Sequence, residues 1–189
     1  MMNENFNYSL VKKIDELKLI RSKLFKDARG YFNEYYNLVE LKPFLTNFTI
    51  KQASISVSKK NVFRGMHFQL SPKISKVTRL ISGKAIFFAI DMSKLNNQRV
   101  IAIKIEKDPS LLIYTPYYYA RGFISLSNNT VIEYLQGGSY EPKNEFKVKY
   151  PNLNSLKKYS KSKLIISDKD QNATTISEWY KKYYYKFFK

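Results

Sequence analysis

Between about residues 31 and 136, this chain repeats one unit: a short apolar or alternating run, then a turn signal. FTIKQASISV (Phe48–Val57) alternates apolar and polar residues. VTRLISG ends at Gly83, and KAIFFAIDM (Lys84–Met92) reads as a buried strand. RVIAIKIE (Arg99–Glu106) alternates strictly. SLLIYTP stops at Pro116, RGFISLS stops at Asn128 and Asn129, and TVIEYL follows. Strands recurring every 8–12 residues or so, with no helical period between them, specify antiparallel sheets closed into a sandwich or barrel.

The flanks are less regular. LVKKIDELKLI, near the start, fits either a short helix or a strand lead-in. DARG (Asp27–Gly30) reads as a turn. Residues 137 to about 167 are polar and loop-like. ISEWYKKYYYKFF predicts a C-terminal helix with an aromatic face. A length of 189 residues suits a single domain.

Composition narrows the chemistry. There is no cysteine, which excludes disulfides, thiolate metal sites and cysteine nucleophiles, and fits a reducing cytoplasm. One histidine among 189 residues rules out a metal site built on several imidazoles. No apolar run reaches the roughly 20 residues of a membrane span, and MMNENFNYSLVKK lacks the apolar core of a secretory signal. The net charge is +18. Its lysines are spread along the chain, with a mild excess at Lys157, Lys158, Lys161, Lys163, Lys181, Lys182, Lys186 and Lys189. Lys, Asn, Ile and Tyr are abundant together, as in proteins encoded by AT-rich genomes, so the charge predicts neither a nucleic-acid nor a membrane partner. The aromatic tail at 176–189 is expected to pack its rings and leave its lysines in water.

The single histidine, His67, lies in VFRGMHFQL, between an Arg-Gly pair and an apolar run. An isolated histidine is often only a packed side chain. Its neighbours along the chain point elsewhere. KDARGYFNEYY, RGMHFQ, KVTRLISGKAIFFAIDM, YARGFISLS, IEYLQGGSYEPKNE and ISDKD occur in that order. Together, over roughly residues 17–175, they resemble the dTDP-4-dehydrorhamnose 3,5-epimerase family. The resemblance implies an all-β, cupin-like jelly roll with short peripheral helices, working in the cytoplasm as a homodimer. It implies a substrate that is a nucleotide-linked 4-keto-6-deoxy sugar, inverted at C3 and C5, as in converting dTDP-4-dehydro-6-deoxyglucose to dTDP-4-dehydrorhamnose. The C3 and C5 protons flank a ketone, so removing either gives an enolate, and no metal or redox cofactor is needed.

The same resemblance implies roles. His67 matches the base and Asp170 the carboxylate that orients it. Tyr134 matches the acid on the opposite face, and Lys76 a lysine beside the keto oxygen. Lys76 lies one residue closer to His67 than in the usual pattern. Arg64 matches a diphosphate contact, Gln52 a further binding position, and Tyr140 a ring stacked on the base. Glu145 and Lys169 match outer substrate contacts. Arg29 and Glu34 match a pair that reaches the nucleotide, often across a dimer interface. Arg121 stands where the family usually has histidine. It keeps an anion-binding group but cannot shuttle protons near neutrality. Gln52-Ala53-Ser54 loses an amide of the usual pattern, and a Trp-Pro pair before ISDKD is missing. These departures leave the base open among dTDP, UDP and GDP. They also leave room for an enzyme acting at C3 or C5 alone, for a ketoisomerase, or for a non-catalytic cupin that binds a sugar nucleotide.

Overall fold

The computed structural model describes residues 7–106 and 108–189. In chain order the elements are β1 (Tyr8–Ile14), β2 (Leu17–Ser22), β3 (Phe25–Asp27), β4 (Gly30–Phe32), α1 (Leu38–Leu41), β5 (Gln52–Ser58), β6 (Val62–Gln69), β7 (Lys76–Ser82), β8 (Lys84–Asp91), β9 (Ile101–Glu106), β10 (Leu111–Thr115), β11 (Tyr119–Ser125), β12 (Thr130–Gln136), β13 (Glu145–Lys147), β14 (Ile165–Ile166), α2 (Asp168–Gln171) and α3 (Ile176–Phe188). The ambiguous stretch near the start is strand: β1 and β2 form a hairpin around Asp15, whose φ of 52° makes the tight turn.

Two six-strand sheets carry the fold. The first runs β1-β2-β10-β7-β12-β5. In the second, β13-β6-β11-β8-β9 form the path and β14 adds in parallel to β6. Residues from both sheets share one core: Leu17, Leu19, Leu80, Ile113 and Ile132 from the first sheet meet Phe87 and Phe123 from the second. That is sheet-on-sheet packing, the jelly roll that the motifs imply. β8 and β11 lie at the centre of the second sheet and are buried along nearly their whole length, which is why KAIFFAID shows no alternation.

A second core covers the outer face of that sheet. Phe63, Met66, Phe68, Phe88 and Ile90 meet Trp179 and Tyr180 of α3. Thr175 caps α3 and Glu178 reaches back to its backbone, a reciprocal cap that fixes where the helix starts. The aromatic tail therefore packs on its own chain. The segment between β12 and β14 is looser in secondary structure than in burial. Val148 and Leu156 are fully buried and Tyr150 nearly so. Its apolar anchors are single residues without a period, so the sequence alone reads as loop.

Candidate active site

At one end of the two sheets, their inner faces part to form a cavity of about 480 Å³. Period-two alternation aims its lining. Gln52, Ser54 and Ser56 enter from β5, Lys76 and Thr78 from β7, Tyr134 and Gln136 from β12, and Arg64 and His67 from β6.

Arg64 and His67 are three residues apart, which strict alternation would place on opposite faces. β6 carries one extra residue at this point. His67 pairs with Arg121 and Arg64 with Phe123, three steps on β6 against two on β11. This bulge turns both side chains into the cavity. Gly65, inside it, has φ +124°, a conformation that only glycine adopts easily.

His67 is oriented by Asp170. Its Nε2 lies 2.6 Å from Asp170 Oδ1, and the other carboxylate oxygen accepts the Gly65 N–H at 3.2 Å. The pairing of β14 with β6 brings the ISDKD segment alongside the bulge. Ser167 caps the single turn of α2, accepting the Asp170 N–H and aiming its side chain at the ring. Burial works to raise the Asp170 carboxyl, yet the bonds from His67 and Gly65 outweigh it and hold the group below the usual aspartate range. With Nε2 committed to a carboxylate, that nitrogen carries the proton and Nδ1 presents its lone pair. Glu145 Oε1 stands 3.9 Å from Nδ1, beyond hydrogen-bond range.

Across the cavity, the Tyr134 hydroxyl pairs with Ser56 Oγ at 3.1 Å. Burial raises its phenol, against the Ser56 bond and the nearby Arg64. Lys76 Nζ sits 5.6 Å from the Tyr134 ring centre. Burial first, then the charge of Arg121, bring Lys76 down to about 7, with Glu145 opposing. Arg64 is braced by Ser58 Oγ at 3.0 Å. At the mouth, Tyr140 Oη and Lys147 Nζ hold Glu145 Oε2 at 3.2 and 3.1 Å, and the Gln52 side chain accepts the Tyr140 N–H. Lys169 completes the rim.

Ten of the twelve site residues expected from the motifs therefore line one cavity: His67, Tyr134, Asp170, Lys76, Arg64, Gln52, Arg121, Tyr140, Glu145 and Lys169. Arg29 and Glu34 do not. Arg29 is exposed on the β3–β4 hairpin and pairs with Asp27. Glu34 accepts from Asn37, and its carbonyl accepts the Tyr8 hydroxyl. Arg121 is in the wall but buried, not presented as an open ligand. Ser54, Ser56, Thr78 and Lys147 also line the cavity. Period two counted from Gln52, Lys76 and Glu145 finds all four. Among the described residues, no cluster of three His, Cys, Asp or Glu side chains is placed to hold a metal, and no helix is long and apolar enough to cross a membrane.

Comparison with known proteins fits this geometry. Residues 11–178 match the family model of dTDP-4-dehydrorhamnose 3,5-epimerase. The chain belongs to that family. Its members include the dTDP-4-dehydrorhamnose 3,5-epimerase of Salmonella typhimurium, 29% identical over 136 residues, which cover 70% of this chain and 74% of that one. The epimerase of Methanothermobacter thermautotrophicus is 25% identical over 170 residues, 87% of this chain and 92% of that one. The crystal structure of the Elizabethkingia anophelis epimerase superposes with a TM-score of 0.79 at 27% identity, covering 91% of this chain and 98% of that one. The jelly roll and the isomerase class are those of the epimerase family.

Proposed function

We propose that this protein inverts C3 and C5 of a dTDP-linked 4-keto-6-deoxy sugar. The observation that carries the reading is the 2.6 Å contact between His67 and Asp170 at the wall of a cavity that also holds Lys76 and Tyr134. The Nδ1 lone pair of His67 takes the proton beside the ketone. Asp170 keeps the ring in the right tautomer and stabilises the imidazolium that forms. The electron pair moves onto the ketone oxygen, where the Lys76 ammonium meets it. Tyr134 delivers a proton from the opposite face, so the carbon is inverted. No redox step is involved.

Arg64 suits the diphosphate, because a guanidinium gives two parallel donors to phosphate oxygens. Tyr140, half exposed at the rim, offers a face on which the base stacks. The dimer reading is supported by the edge position of β5, its exposed Ile55 and Val57, and the exposed Tyr31 and Phe32 of the β3–β4 hairpin. In such a dimer, Arg29 and Glu34 would reach a partner's cavity. The lack of cysteine supports a cytoplasmic setting.

The test is incubation with dTDP-, UDP- and GDP-linked 4-keto-6-deoxy sugars in deuterium oxide, followed by proton NMR. Deuterium at C3 and C5 of the dTDP sugar is the expected result. Label at a single carbon would restrict the enzyme to that centre, and no label in any sugar would overturn the assignment.

A further inference from the structure

The cavity wall contains a positive charge without a negative partner. Arg121 is 6% exposed. Its Nη2 donates to the carbonyls of Ile74, Pro116 and Tyr117 at 2.8, 3.0 and 3.2 Å. Among the described residues, its Nε and Nη1 have no hydrogen-bond partner and no Asp or Glu pairs with it. Three carbonyls fix the guanidinium in place but leave its charge uncompensated. Burial lowers Arg121 only to about 9, so it stays charged at neutral pH.

Lys76 lines the same cavity, two residues beyond the Ile74 carbonyl that Arg121 grips. The charged and titratable groups around it are few. Tyr134 of β12 presents its ring, and β10 places Tyr114 on the Arg121 side. β6 contributes Arg64 and His67, and α2 contributes Asp170 and Lys169. Asp170 is occupied by His67 and Gly65. Glu145 of β13 attracts Lys76, but Lys147 and Tyr140 already hold one of its oxygens. Fixed positive charge thus exceeds free negative charge around this ammonium.

We propose that Arg121 is a positioning residue acting through Lys76: held in the wall of the same cavity with no carboxylate beside it, its guanidinium sets the charge around Lys76 so that Lys76 hands a proton to the oxygen anion forming there. This rests on the epimerase reading and sharpens it, because the intermediate becomes an enol. The C–H electron pair forms the C=C bond, and the carbonyl π pair takes the Lys76 proton. His67 holds the carbon proton. On the return, the enol O–H proton goes back to Lys76 as the carbon takes a proton from the Tyr134 hydroxyl. His67 then releases a proton to water and the tyrosinate regains one from water, which closes the cycle.

The test reads Lys76 directly. Lysine-labelled protein is titrated by NMR without substrate, with the Lys76 signal assigned by its loss in Lys76→Arg. In the wild type, Lys76 is expected to titrate near the value of about 7 given by its surroundings. Arg121→Lys keeps that behaviour, because it keeps the charge. Arg121→Met moves the midpoint up by about one pH unit or more, a tenfold gain in proton affinity. The alkaline limb of kcat/KM, which reports the free enzyme, moves up with it, a shift that a merely structural role would not produce. A wild-type midpoint at the ordinary lysine value overturns the proposal even if Arg121→Met does not fold. So does an unmoved midpoint in a folded Arg121→Met. Failure of the epimerase reading shows separately, as absence of sugar labelling by the wild type, while the titration still reports on Arg121.

Discussion

Gly65 and Gly122 touch backbone to backbone at the bulge where β6 pairs with β11. A Cβ on Gly65 would lie 2.6 Å from the Gly122 Cα, and one on Gly122 would lie 2.6 Å from the Arg64 carbonyl oxygen. The two glycines belong to the RGMHF and ARGF motifs, so each motif owes its form to the other. The bulge that turns His67 and Arg64 inward exists only because neither strand carries a side chain here. Gly122→Ala forces the strands apart and is expected to cost about 1–3 kcal/mol, as overpacking does. Gly65→Ala adds the strain of its positive φ and should cost more. Thermal denaturation checks both, at about 2–4 °C per kcal/mol for a chain of this size. Unchanged melting temperatures would contradict the close approach.

His67→Ala should fold normally, since the ring is partly exposed and lies on the cavity side. Solvent deuterium incorporation into the sugar should fall by about 10²–10⁴-fold, the usual contribution of a general base. Exchange at the wild-type rate would remove His67 from the reaction.

Tyr134→Phe separates the two halves of the reaction. Proton abstraction stays with His67, so label still enters the sugar, but inversion is lost. The Ser56 hydroxyl loses its partner, a change worth about 0.5–1.5 kcal/mol in stability. Proton NMR of the product sugar reads both outcomes, and equal loss of exchange and inversion would refute the division of labour.

Asp170→Asn keeps the shape of the site but removes the charge that orients His67. Turnover should fall by about 10²–10⁴-fold. The carboxyl is held below its ordinary value of 3.8, so its contribution to stability is present at neutral pH. That contribution is lost only as pH falls through the lowered value. Urea midpoints measured from pH 6 down to pH 2 should therefore fall less steeply in the variant below about pH 4. Parallel curves would mean that the carboxylate gains nothing from its two bonds.

Trp179 is fully buried, with Phe68 and Phe146 at ring distances of 5.2 and 5.5 Å. Its Nε1 has no partner among the described residues, so its value is packing alone. Trp179→Ala is expected to cost about 3–5 kcal/mol. Trp179→Phe should cost clearly less, because it leaves no hydrogen bond broken. Chemical denaturation of the two variants decides, and equal costs would argue that the indole N–H matters.

Much of this was legible in the chain. Period-two runs and turn residues specify β7 to β12 within a residue or two at most ends, because alternation and burial act locally. The C-terminal helix was equally legible from its spacing. Joining His67 to Asp170 required the ordered motifs, since no local pattern links residues so far apart. Two features stayed hidden. The single buried anchors Val148 and Leu156 follow no period. The uncompensated charge of Arg121 depends on which carboxylates are already taken, and only tertiary structure decides that.

The clasp on Asp170 is slight: a two-residue strand, β14, and one helical turn, α2. It spans 103 positions to reach His67. Segments secured so lightly open by local fluctuation well before the sheets they rest on. Mild denaturant should therefore silence turnover while β8 and β11 still protect their amides from exchange. In this molecule, the capacity to do chemistry is more perishable than the architecture that houses it.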